Sequence, residues 1–247
     1  MKTENPPGQA QKKFDFSPPN RRPFVASLPA TIDTYEEGVA HFFRWRTGLD
    51  YYLAVDQVVD FVVQTGRVRV IDLLTDTATF ALRLAARKAF AGHVYSFDTN
   101  ITLLERAKQR AAHLNLQQCI DFRQVRESPF PLSDGFGEVA VSFFDLHRHP
   151  GGDYLAEVLR LLAPEGHLIL AELLIPESAR KSIAWRYRKL HLRYAQKNPV
   201  EASAVYYDQE EIIQLLFRAG FRQVILQGLN VPESRNAGVF SLIAATK

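Results

Sequence analysis

Residues 70–85 read VIDLLTDTATFALRLA, an apolar run joined to a helical pattern through a short polar turn. The stretch predicts a buried strand, a turn and then a helix. That is the layout of a nucleotide-binding loop, where glycines let the backbone pass close to a ligand. These residues contain no glycine. Whether such a unit still receives a ligand decides most of the functional reading.

The same alternation continues on both sides. Strands are expected over 68–74, 93–98, 119–125, 138–144 and 166–173, and helices over 76–90, 100–114 and 152–162. Helices alternating with strands rich in Val, Ile and Leu imply a parallel sheet covered on both faces. The end of the chain breaks the pattern. An amphipathic helix stops at Gly220, a strand follows, and GVFSLIAATK (238–247) forms another strand with no helix between. The two make a hairpin across the loop NVPESRN (230–236), so the last strand should run antiparallel. Before the first strand, 34–66 predicts two helices that break near Gly48 and end at Gly66.

The organisation expected is a basic, proline-rich arm at 1–25, a helical cap at 26–66 and an α/β domain at 67–247. A hydrophobic content of 47% supports a full core, and 23% charged residues is ordinary for a soluble globule. The single cysteine, Cys119, excludes an intrachain disulfide and fits a reducing, cytoplasmic setting. No apolar stretch reaches the length of a membrane span. The net charge of +3 is unevenly spread: 180–197 holds seven basic residues and no acid, and the arm holds five basic residues against two acids. Outside both segments 18 basic and 25 acidic residues remain, so the body is acidic.

Three further stretches carry a resemblance. SPFPLSDGFGEVAVSFFDLHRHP (128–150), LAEVLRLLAPEGHLILAE (155–172) and YYDQEEIIQLLFRAGFRQV (206–224) stand in an order and spacing that resemble the class I S-adenosylmethionine (SAM) dependent methyltransferases, in particular the branch that modifies small molecules and quinones. The resemblance spans about 50–247. It implies a doubly wound, mostly parallel seven-stranded sheet with an antiparallel last strand, preceded by N-terminal helices.

It also implies where a cofactor would lie. The family's first strand ends in an acid and a D-x-G-x-G-x-G loop; Asp72 matches the acid, and Leu74, Asp76 and Ala78 occupy the three glycine positions. In left-handed geometry each would cost about 1–2 kcal/mol. Leu74 adds bulk, and Asp76 sets a carboxylate beside the cofactor's own. Asp98, ending the second strand, matches the acid that binds the ribose hydroxyls, although it also suits a cap of the following helix. Gln124 stands where the family's adenine-reading acid would be.

Other candidates lie outside that loop. In DLHRHP, Asp145, His147 and His149 alternate, and an extended backbone would turn them to one face as metal ligands. The preferred reading is a loop over the substrate side, with His147 as general base and no metal. In 182–197, Ile183, Tyr187, Leu190 and Tyr194 form an apolar stripe at helical spacing, flanked by Arg186, Lys189 and Arg193. A solvated lid helix is the ordinary explanation. An anionic membrane surface or nucleic acid is the functional one. Phe42, Phe43, Trp45, Tyr51 and Tyr52 are core residues or the lining of a pocket for an apolar, planar molecule.

The leading expectation from the altered loop is a pseudoenzyme. This would be a methyltransferase-fold protein whose SAM binding is doubtful and which acts by binding a protein partner or small apolar ligand, in assembly or regulation. The alternative is an active SAM-dependent methyltransferase on a small apolar or quinone-like acceptor. A nucleic-acid methyltransferase ranks last, since SFFDLHRHP (142–150) lacks the Asn/Asp-Pro-Pro-aromatic motif of base amino-methyltransferases.

Overall fold

The structure, a computed structural model, describes residues 30–125, 129–149, 152–195, 197–229 and 238–247. The expected arm at 1–25 and the loop at 230–236 lie outside them. No helix of the described residues is long and apolar enough to cross a membrane.

Two helices, α1 (Ala30–Thr47) and α2 (Tyr51–Thr65), precede the sheet. Asp50 caps α2 by accepting the Leu53 N–H, and Gly66 ends it in the left-handed conformation (φ 67°) that a glycine adopts without a Cβ clash. Then come β1 (Arg69–Leu73), α3 (Thr79–Ala85), β2 (His93–Asp98), α4 (Ile101–His113), β3 (Ile120–Gln124) and β4 (Gly137–Phe143). After these lie α5 (Gly152–Leu161), β5 (Leu162–Leu174), α6 (Glu177–Arg180), α7 (Ile183–Leu190) and α8 (Pro199–Ser203). The final elements are α9 (Gln209–Arg218), β6 (Arg222–Gly228) and β7 (Val239–Thr246).

The seven strands order as β3-β2-β1-β4-β5-β7-β6. β1 to β5 are parallel, and β7 inserts between β5 and β6, antiparallel to both. Two apolar layers cover the sheet. One packs Phe43, Val58, Phe80, Leu84 and Phe240 under α1–α3. The other packs Phe97, Leu155, Leu161, Ile212 and Leu216 under α5 and α9. The chain leaves β1 toward β2 and β3 on one side and later builds outward from β4 on the other. The carboxyl ends of β1 and β4 therefore flank the point where strand order reverses, the place where such sheets receive ligands.

Three elements differ from expectation. α3 starts at Thr79, not at 76, because Asp76 and Ala78 are left-handed (φ 53° and 62°) and cannot continue a right-handed turn. β5 begins at Leu162, directly after α5, and not at 166, so Pro164, Glu165 and Gly166 lie inside its irregular start. The helix expected over 182–197 is α7 followed by a π-helical turn at His191–Ala195.

Candidate cofactor and acceptor site

A cavity of ≈ 430 Å³ opens at the carboxyl ends of β1 and β4, within the range of small-molecule sites. Its floor is the turn after β1. Leu74, Asp76 and Ala78 all take positive φ (55°, 53° and 62°), so the backbone follows a glycine-type course without glycine. Thr75 N–H donates to Phe97 O (2.8 Å), Ala78 N–H to Thr75 O (2.8 Å), and the Thr75 hydroxyl to Asp72 Oδ2. Phe144, at the end of β4, is the next left-handed residue in the cavity wall (φ 53°). Backbone in this region costs a non-glycine residue about 1–2 kcal/mol and tends to collect at functional sites.

The turn is held from outside. Arg110 of α4 donates to Thr77 O (2.6 Å) and pairs with Glu36 of α1 at 2.6 Å, with both side chains buried. Thr79 also donates to Glu36 (3.0 Å). The N-terminal helix is thereby fastened over the turn, and its Phe42 and Phe43 join Tyr51, Phe80, Phe143 and Phe144 in the cavity wall. Of the five aromatics singled out in the sequence, three face the cavity. Trp45 lies under the Arg188 guanidinium (5.4 Å) and Tyr52 under that of Arg83 (4.9 Å).

Three carboxylates share the wall, Asp72, Asp76 and Asp145, against one guanidinium, Arg148. Burial pushes Asp72 up to about 7, partly countered by hydrogen bonds from Thr75 and Ser96. Burial also raises Asp145, opposed by His149 (3.3 Å) and Arg148 (3.5 Å). Aromatic faces and carboxylates together favour a cation. A sulfonium with its α-amino group meets that description. The Asp76 carboxylate works against the same ligand's carboxylate.

Asp98 ends β2 as expected and is buried, and burial raises its pKa. Oδ2 accepts the Asp76 N–H (2.8 Å) and Oδ1 the Asn100 N–H (2.7 Å), which fixes the carboxylate against the turn. A carboxylate has about four acceptor sites, and these two bonds do not fill them. Asn100, not Asp98, caps α4, accepting from Thr102 and Leu103. Gln124 is exposed and its amide donates to Thr99 O (3.0 Å). Ala78, Asp98 and Gln124 lie outside the cavity wall, and Asp72, Leu74 and Asp76 lie in it. The residues present therefore fit a SAM-like group at its charged centre, crowd it at its carboxylate end, and set the ribose acid just behind the cavity wall.

His147 corrects the sequence reading. A 3-10 turn at Leu146–Arg148 breaks the extended course, so Asp145 and His149 meet while His147 turns away. His147 is fully buried and is not in the cavity wall. Nδ1 lies 2.9 Å from Glu172 Oε1 and Nε2 lies 3.4 Å from Glu201 Oε1, and the ring stacks on Tyr206. Burial alone would lower its pKa, but the two carboxylates more than reverse this and raise it to about 9. Such a group holds its proton at neutral pH and is no general base. The neighbours the sequence did not single out, Glu172 and Glu201, stand 25 and 54 residues away in the chain. Asp145, weighed only as a metal ligand, is one of the titratable groups in the cavity wall. Among the described residues no cluster of three His, Cys, Asp or Glu side chains is placed to hold a metal.

A doubly wound sheet in this order with a reversed seventh strand, and a left-handed turn after its first strand, defines the class I methyltransferase fold. Known proteins agree. The methyltransferase-domain family matches residues 75–170. The demethylmenaquinone methyltransferase of Lactobacillus johnsonii is 26% identical over 172 residues, 65% of this chain and 70% of that one. A ubiquinone/menaquinone biosynthesis C-methyltransferase of Blochmanniella floridana is 24% identical, over 66% of this chain and 71% of its own. Among solved structures, the [4+2]-cyclase SpnF superposes with a TM-score of 0.62 at 17% identity, covering 80% of this chain and 82% of that one. The geranyl diphosphate C-methyltransferase of Streptomyces coelicolor A3(2), in complex with Mg2+, geranyl diphosphate and S-adenosyl-L-homocysteine, gives 0.61 at 12% identity, covering 77% and 80%. The chain thus has the class I methyltransferase fold, and its residues 75–170 match the methyltransferase-domain family.

Proposed function

We propose that the protein is a SAM-dependent methyltransferase acting on a small apolar acceptor of quinone-like shape. One observation carries the reading: Leu74, Asp76 and Ala78 keep the left-handed turn at a combined cost of about 3–6 kcal/mol. A turn with no ligand to admit gains nothing from that strain. The names of the relatives, which act on menaquinone and ubiquinone precursors, support the acceptor class. So does the aromatic wall, which suits a flat ring.

When bound, the cofactor supplies a methyl group on a sulfonium, so positioning provides most of the catalysis. Asp72 would face the cation, and Asp98, fixed behind the turn by the Asp76 N–H, would hold the ribose. Phe43, Tyr51 and Phe143 enclose the acceptor and exclude water. Asp145 takes the acceptor's proton, its pKa raised toward the working range by burial. His147 is a positioning residue. Its backbone N–H binds Glu172 (3.2 Å), and Glu201 binds Arg148 (2.6 Å), which together set the turn that presents Asp145 and Arg148 to the cavity.

Calorimetric titration with SAM and S-adenosylhomocysteine tests this, comparing wild type with Asp98→Ala. The expected result is binding that the substitution weakens, followed by methyl transfer to a demethylated quinol. No binding at millimolar ligand by folded protein overturns it. The second reading would then stand: a degenerate, non-catalytic site for a partner or apolar ligand. The Leu74 and Asp76 side chains in the cavity wall favour that reading.

A further inference from the structure

The apolar stripe of α7 faces solvent. Ile183 is 85% exposed, Tyr187 71%, Leu190 54% and, on the π-helical turn, Tyr194 71%. The side that packs on the protein is a different one. Trp185 meets Tyr206 edge-on (5.5 Å), Leu192 is buried, and Arg188 lies over Trp185 and Trp45. Arg186, Arg193 and Lys197, all exposed, flank the stripe, and 180–197 contains no acid. An apolar strip edged by cations, on a protein whose remaining body is acidic, is complementary to an anionic lipid surface. The aliphatic and tyrosine side chains enter the headgroup–acyl boundary, and the guanidinium and ammonium groups meet lipid phosphates.

We infer that α7 and its π-helical turn dock the protein on an anionic lipid bilayer. The place of this helix gives the docking a use. Asn198 donates its backbone N–H to Leu192 O (2.9 Å) and is one of the residues that line the cavity. Arg188 joins α7 to Trp45 of α1, the helix that supplies Phe42 and Phe43 to the same cavity. The lipid-facing helix thus ends at the cavity rim, where an apolar acceptor dissolved in the bilayer could pass in. The docking surface stands on these residues alone, and only its role in delivering the acceptor rests on the proposed function.

Co-sedimentation of the full chain with vesicles tests the inference. One set contains phosphatidylglycerol in phosphatidylcholine and the other phosphatidylcholine alone; a duplex DNA fragment is titrated separately. The expected result is partitioning onto the anionic vesicles only. Removing two cations in Arg186→Gln/Arg193→Gln should weaken it roughly 30-fold. Ile183→Ser/Leu190→Ser should also weaken it strongly, with every charge kept. All four side chains are exposed, so the variants fold, and unchanged SAM titration in them separates this inference from the cofactor reading. Absence of binding to anionic vesicles overturns it. So does binding that Ile183→Ser/Leu190→Ser leaves unmoved, or tighter binding to DNA with the same insensitivity, which would assign the helix to nucleic acid.

Discussion

His147 should make the protein's stability fall as pH rises. The group sits between Glu172 and Glu201, and its folded pKa of about 9 lies above the ordinary 6.5. Folding is therefore favoured by the proton that His147 keeps. That contribution is complete below about pH 6.5 and is lost as pH rises through 9. The displacement corresponds to about 3 kcal/mol at roughly 1.4 kcal/mol per pH unit. Glu201, lowered to about 2 where its bonds to His147 and Arg148 outweigh burial, reports the same contact from the acid side. Its share is present above about pH 4.5 and fades as pH falls through 2, so the pair is counted once. Urea unfolding of wild type and His147→Gln at pH 6 and 9.5 measures the effect. Wild type should lose about 3 kcal/mol more than the variant between those two values. Equal losses would show that His147 is not held protonated between the carboxylates, and the positioning role given to it would fall with that.

Three further outcomes are expected. Arg110→Met leaves Glu36 buried without its cation and Thr77 O without a donor, and should destabilise by about 3–5 kcal/mol in urea; a loss under 1 would refute the clamp on the turn. Asp76→Gly relieves a left-handed residue, worth about 1–2 kcal/mol, and adds glycine's chain entropy, about 0.5–1. Stability should stay within about 1 kcal/mol of wild type while SAM binds more tightly, and weaker calorimetric binding would contradict the site. Asp72 titrates near 7 in the cavity wall, so affinity for a sulfonium should rise from pH 6 to 8 as the carboxylate ionises, and Asp72→Asn should flatten that profile.

Strands were legible in the sequence because their apolar runs are continuous and their neighbours in the sheet demand nothing else. The reversed last strand was legible too, since no helix separates it from the strand before. The start of α3 was not, because TDTATF carries no glycine to mark the left-handed turn that the sheet's end imposes. Periodicity also found the stripe of α7 correctly but not its direction. A pattern of Ile, Tyr, Leu and Tyr records which residues share a face, whereas Trp185 and Leu192 took the buried side. The Asp72 and Asp98 positions followed from strand ends. The burial of His147 depended on Glu172 and Glu201, partners that only the folded chain brings together.

The insertion of β7 between β5 and β6 sets an order on assembly. Among the described residues β6 pairs in the sheet with β7 alone, so it has no place there before β7 has docked. β7 in turn pairs with β5 across a wide interval of chain, Thr246 lying against His167. Contacts so distant in sequence form slowly, and until they form β5 is an open, apolar edge of the kind that recruits other chains. Loss of the last strand would thus cost two ladders at once and free α9, and a partly folded chain without it is the species most prone to aggregate.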